Sequence, residues 1–260
     1  MTISIFPPKV DVIPLWSVGS RYYSDENNSS THLMTTPRSD FDSPWKQALE
    51  AYFTDFLCFF FPDIHADIDW SRGYEWLDNE LQKIVRDADL GKRYADKLAK
   101  VWQTNGDERW VLIHTEIQGQ RESQFSERMF IYNYRLRDRY NKPVVSLAVL
   151  TDEQSGWRPQ QFSSEELWGT QITFKFEIAK LIDYGQDWVA LETNINPFAT
   201  VVMAHLKVLE TRDDASLRKQ WKFTLTRRLY ELGYQRQDVL NLYLFMDTFG
   251  KPHPLVGAEG

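Results

Sequence analysis

Glu116, Ile117 and Gln118 form a Glu-x-Gln step inside the apolar stretch 110–120, and Asp96 lies on the predicted strand just before it. Successive side chains on a strand alternate between faces, so Glu116 and Gln118 share one face while Val111, Ile113, Thr115 and Ile117 take the other. If the two strands are neighbours, the carboxylates at 96 and 116 approach one another, because directly opposed Cβ atoms sit about 5 Å apart. Two acids that close repel, and a divalent cation held by hard oxygen donors removes the conflict. Such a layout suits metal-assisted phosphodiester hydrolysis, with the Gln118 amide oxygen orienting a water but lacking the basicity to deprotonate it. The plainer alternative is that Asp96 pairs with Lys97 or Arg93 on a solvated edge and that Glu-x-Gln is ordinary strand alternation.

Further residues fall around this pair. His114 shares the predicted face of Glu116, within reach of a phosphate or a water, or serves as a hydrogen-bonded structural histidine. Gln124, Arg128 and Tyr132 recur at i, i+4 and i+8 on a predicted helix, which gives one polar stripe facing the site, with Arg128 as the phosphate contact. Glu50 on the first predicted helix is a candidate extra carboxylate, against the simpler reading of an exposed helical glutamate.

The elements that must position these residues are legible from caps and periods. Ser43 and Pro44 suit an N-cap and first turn, and the aromatic-rich run that follows stops against Pro62. Residues 70–90 fit either a helix or an irregular strand. Strands are predicted at 94–102 and 109–118, antiparallel about the turn Asn105-Gly106-Asp107. Phe125, Met129, Tyr132 and Leu136 mark a helix over 123–140, and the apolar run 144–150 predicts a strand covered on both faces. The stretch 156–187 reads as loop plus one strand, 171–178. Helices follow at 197–210, at 214–232 ending on Gly233, and at 238–249. The expected fold class is α/β, a mixed central sheet flanked by helices, organised as a flexible arm (1–39), a core (40–190) and a helical C-terminal extension (191–260).

Composition narrows the function classes. The 260 residues are 42% hydrophobic and 15% aromatic, ample for a packed core. A formal charge of −7, from 30 basic and 37 acidic residues, argues against coating nucleic acid through bulk electrostatics. Cys58 is the single cysteine, which excludes an intrachain disulfide and a cysteine-rich zinc site and suits a reducing, cytoplasmic setting. Prolines at 7, 8 and 14 interrupt the N-terminal stretch, so no signal peptide or membrane span is expected.

The ordered set DSPWK (42–46), YADKLAKVW (94–102), WVLIHTEIQGQ (110–120), ERMFIYNYRLRDRY (127–140) and PVVSLAVLTD (143–152) resembles the Rpn-type group of recombination-promoting nucleases and transposase-like proteins. That group belongs to the PD-(D/E)xK nuclease superfamily, and the resemblance spans about 40–246. It implies a core of helix, strands, helix and strand, and metal-dependent endonuclease cleavage of DNA linked to mobile elements or recombination. It also implies Mg²⁺ or Mn²⁺ held by Asp96, Glu116 and the backbone carbonyl of Ile117, with DNA as partner and a homodimer as a compatible assembly. Gln118 stands where many members carry lysine, so the same resemblance also admits an inactive DNA-binding or protein-interaction module. The segment 227–246 reads as helix, glycine turn and helix, compatible with a DNA reader and more simply explained as a structural pair.

Overall fold

Val144–Leu150 offers no charged residue to solvent on either face, and it lies inside a five-stranded mixed sheet, where both faces are covered. The computed structural model describes residues 48–87, 97–116 and 123–249. Its strands are β1 (Glu75–Trp76), β2 (Lys97–Trp102), β3 (Glu108–Glu116), β4 (Val144–Leu150), β5 (Gln161–Glu165), β6 (Gln171–Lys175) and β7 (Glu177–Lys180). The main sheet has the order β1-β2-β3-β4-β7, and β5 and β6 form a separate antiparallel hairpin. β2 runs antiparallel to both β1 and β3, whereas β3, β4 and β7 run parallel. The helices are α1 (Phe53–Phe60), α2 (Pro62–Asp67), α3 (Asp78–Asp87), α4 (Phe125–Tyr140), α5 (Trp188–Thr193), α6 (Pro197–Glu210), α7 (Ala215–Glu231) and α8 (Arg236–Phe249).

Strand alternation divides the core between the two faces of the sheet. Ala99, Val101, Val111, Leu147 and Val149 join one cluster with Phe53, Phe56 and Leu57 of α1 and with Phe198, Val201 and Val202 of α6. Leu98, Trp110 and Val144 join another with Leu81 and Ile84 of α3 and Tyr132 and Leu136 of α4, and nearby Phe125 and Met129 cover Ala148 and Leu150. Each fully buried Phe, Leu or Val contributes roughly 1.5–3 kcal/mol, so the helices are held mainly by these stripes. α6 is buried over the whole of its first ten residues, as suits a helix apolar nearly all round. Asn196 caps it by accepting the Phe198 N–H, with Pro197 at the first turn.

The α/β class with a mixed sheet between helices matches the expectation, and several local readings are corrected. The ambiguous stretch after residue 70 resolves into a 3₁₀ turn (Trp70–Arg72), the short strand β1 and helix α3. The single strand expected over 171–178 is two, because Phe176 turns inward between β6, which pairs with β5, and β7, which joins β4. β5 escaped the sequence because QFSSE has no buried face to give it an apolar period. α5 escaped because six residues are too few to show one. The helices expected as a C-terminal extension share the sheet's own core: Leu225, Leu229, Val239 and Leu242 belong to the cluster that contains Val111 and Leu147. The helix expected over 123–140 forms as α4, and Asn141 in the left-handed region (φ 49°) ends it two residues before Pro143.

Candidate functional site

Parallel pairing sets Glu116, Leu150 and Lys180 side by side in one row across β3, β4 and β7, at the carboxyl ends of these strands. β2 runs the other way, with Lys97 opposite Ile113, so its amino end lies at that same end of the sheet. In open sheets with parallel strands this carboxyl end is where ligand sites collect. Strands are about 4.8 Å apart, which puts the backbones of Glu116 and Lys180 about 10 Å from each other. Asp96, Ile117, Gln118 and the side chains of His114 and Glu116 lie outside the described residues. The backbone of His114 pairs with Ala148.

Charges gathered around this end are mostly already engaged. Lys97 is only 2% exposed and its Nζ donates to Glu50 (2.6 Å) and Asp78 (2.5 Å), 4.7 Å from the centre of the Trp76 ring. Lys97 therefore sits on a covered inner strand, not on a solvated edge. Glu50 is half-exposed and tied to that ammonium, which distinguishes it from a free surface glutamate. On the far side, Lys180 and Asp152 are both fully buried; Lys180 Nζ donates to each Asp152 oxygen at 2.8 Å and to the Trp157 carbonyl at 2.9 Å. All three ammonium protons are thus used. His205 of α6 is buried, and desolvation, opposed by the Thr151 backbone, lowers its pKa to about 4, so it is neutral at physiological pH.

The stripe expected from Gln124, Arg128 and Tyr132 is divided between surface and core. Gln124 is exposed ahead of α4, while Arg128 and Tyr132 are buried on the helix face shared with Phe125, Met129 and Leu136. Tyr132 lies in the apolar stripe, seven residues after Phe125 and three after Met129, and packs as core. The Arg128 guanidinium lies 5.4 Å from the centre of the Phe125 ring. Asn133, also buried, donates to the Val144 carbonyl (3.0 Å) and to Ser146 Oγ (2.9 Å), which fixes α4 on β4.

No family model, curated protein or solved structure matches the chain. Two carboxylates and a peptide carbonyl are hard oxygen donors that suit Mg²⁺ or Mn²⁺. Among the described residues no three His, Cys, Asp or Glu side chains group to hold an ion. No described helix is long and apolar enough to cross a membrane. Asp152, Lys180 and His205 were missed by sequence reasoning. The only signal available was that Asp152 and Lys180 each stand at the end of an apolar strand, without any hint that they pair.

Proposed function

We propose that this protein is a metal-dependent DNA endonuclease of the PD-(D/E)xK type, acting on phosphodiester bonds in the cytoplasm. The observation that carries the reading is the antiparallel β2–β3 ladder, whose pair Lys97–Ile113 brings the amino end of β2 to the end of β3 that carries Glu116. Asp96 directly precedes Lys97 in the chain. The reading is further supported by the succession of the antiparallel pair β2–β3, helix α4 and strand β4 parallel to β3.

In this reading Asp96, Glu116 and the Ile117 carbonyl would hold one Mg²⁺ or Mn²⁺ ion, which would supply an activated water and charge screening at the phosphate. Gln118 would orient that water through its amide oxygen, and His114 and Gln124 would serve as phosphate or water contacts. Arg128, the expected phosphate contact, is buried on α4. A second reading, a PD-(D/E)xK-fold module that binds DNA or protein without turnover, is favoured by Gln118 in the usual lysine position and by the burial of Arg128 and Tyr132.

The deciding experiment is plasmid nicking by the purified chain with Mg²⁺ or Mn²⁺, against a chelator control, for the parent, Asp96→Ala and Glu116→Ala. Metal-dependent nicking by the parent alone supports the nuclease. Equal cleavage by either variant, or none by the parent alongside retained DNA binding, favours the second reading.

A further inference from the structure

The β5–β6 hairpin stands apart from the main sheet and is anchored by one face, where Phe130 of α4 stacks on Phe162 (5.1 Å, 15°) and contacts Phe174 (5.8 Å). Its register pairs Phe162 with Phe174, Ser163 with Thr173 and Ser164 with Ile172. Two bonds at the ends of this ladder fix its phase: the Phe176 N–H donates to the Gln160 carbonyl (3.0 Å) and the Glu166 N–H to the Thr170 carbonyl (2.8 Å). Hydrogen-bonded and non-bonded pairs alternate along an antiparallel ladder, so Ile172 and Phe174 direct their backbone groups at β5. The N–H and C=O groups of Gln171, Thr173 and Lys175 therefore point the other way. Among the described residues no strand pairs with β6 on that side.

A free edge is a template for another strand, which folded proteins commonly blunt with proline, a bulge or charge. The outer edge of β5 is blunted in this way, because its outward-pointing series runs back to Pro159, which has no N–H to donate. β6 contains neither proline nor bulge, and its one charge, Lys175, stands at its last position. Gln171, Thr173 and Lys175 are exposed on the face turned away from α4, and Ile172, on the face that carries Phe174, is 37% exposed. The strand Gln-Ile-Thr-Phe-Lys is moreover self-complementary about Thr173. In an antiparallel pair of two such strands centred there, Thr173 faces its counterpart, Gln171 faces Lys175, and Ile172 faces Phe174, which covers the exposed isoleucine with an aromatic ring. The two lysines then lie at opposite ends of the ladder. Each falls in the row of the other copy's Glu165, which pairs with Gln171 within the hairpin. A parallel pair would instead set lysine beside lysine.

We propose that β6 pairs antiparallel with β6 of a second copy of the chain, joining two hairpins into one continuous sheet across a two-fold axis between the Thr173 residues. The outward pairs supply about six inter-strand hydrogen bonds, two from each. The axis makes the contact self-complementary, so it closes as a dimer and leaves no further edge of the same kind, since the outer strand on each side is then β5 with Pro159. The inference is independent of the nuclease reading, because neither metal nor DNA enters it.

Sedimentation of the full chain over a concentration series, without metal or nucleic acid, tests it alongside residue-level amide exchange. Reversible dimerisation is expected, with the amides of Gln171, Thr173 and Lys175 gaining protection as the concentration rises and those of Ile172 and Phe174 protected throughout. Thr173→Lys sets two ammonium groups opposite each other at the axis, and Thr173→Glu two carboxylates, so each variant alone should dimerise about fivefold or more weakly at low salt. A mixture of the two variants should regain the parent's association, because lysine then faces glutamate. Thr173 is exposed, so melts by circular dichroism, taken at a dilution where the parent is monomeric, should stay at the parent's value. A chain that stays monomeric at its highest soluble concentration overturns the proposal. So does a dimer whose Thr173 amide exchanges as in the monomer, a dimer indifferent to Thr173→Lys, or a monomer whose β6 amides gain protection only when DNA is added.

Discussion

Lys180 and Asp152 form an ion pair with no exposed surface on either side chain, in which the ammonium meets both carboxylate oxygens at 2.8 Å. Removing one partner leaves the other charge buried with too few hydrogen bonds. Asp152→Ala is therefore expected to cost about 3–5 kcal/mol, whereas Asp152→Leu combined with Lys180→Met costs much less because no charge remains inside. Urea unfolding of the two variants checks this, and equal losses would show that the pair is not what holds β7 on β4.

Buried His205 makes stability depend on pH. Its pKa falls from 6.5 in the unfolded chain to about 4 in the folded one, chiefly through desolvation. A histidine with a depressed folded pKa contributes its full stability above pH 6.5 and loses it as the pH falls towards 4, because the unfolded chain takes up the proton first. The loss across that window is on the order of 3 kcal/mol from this residue. His205→Leu should flatten that part of the profile, read as urea midpoints at several pH values between 4 and 7.5.

Tyr52, at the bend before α1, donates its hydroxyl to Asp238 in the first turn of α8 at 2.8 Å. Burial and this carboxylate raise the tyrosine pKa, so the group stays a donor throughout the physiological range. Tyr52→Phe should cost about 1 kcal/mol, with a similar coupling to Asp238→Ala in a double-mutant cycle. A coupling near zero would show that α8 opens independently of α1.

Gln118→Lys tests the nuclease reading at its weakest point. If Gln118 occupies the usual lysine position, the substitution should preserve or raise Mg²⁺-dependent nicking. Complete loss of nicking, with the melting temperature unchanged, would assign the amide a required role of its own.

The features legible in the sequence are those written in short-range periods. Phe125, Met129, Tyr132 and Leu136 announced α4, the uncharged run 144–150 announced an inner strand, and Asn105-Gly106 announced the turn between β2 and β3. The same reasoning did not show that Arg128 and Tyr132 are buried, since polar and apolar stripes overlap on one helix and only packing decides which is covered. Ion pairing was not legible at all. Lys97 reads like any strand lysine until Glu50 and Asp78, 47 and 19 residues away, close over it. Lys180 likewise finds Asp152 28 residues upstream. A local period records which side of an element is apolar. Which charges lose their water, and which partner then compensates them, is decided only when distant segments meet, because the cost of a buried charge depends on everything packed around it.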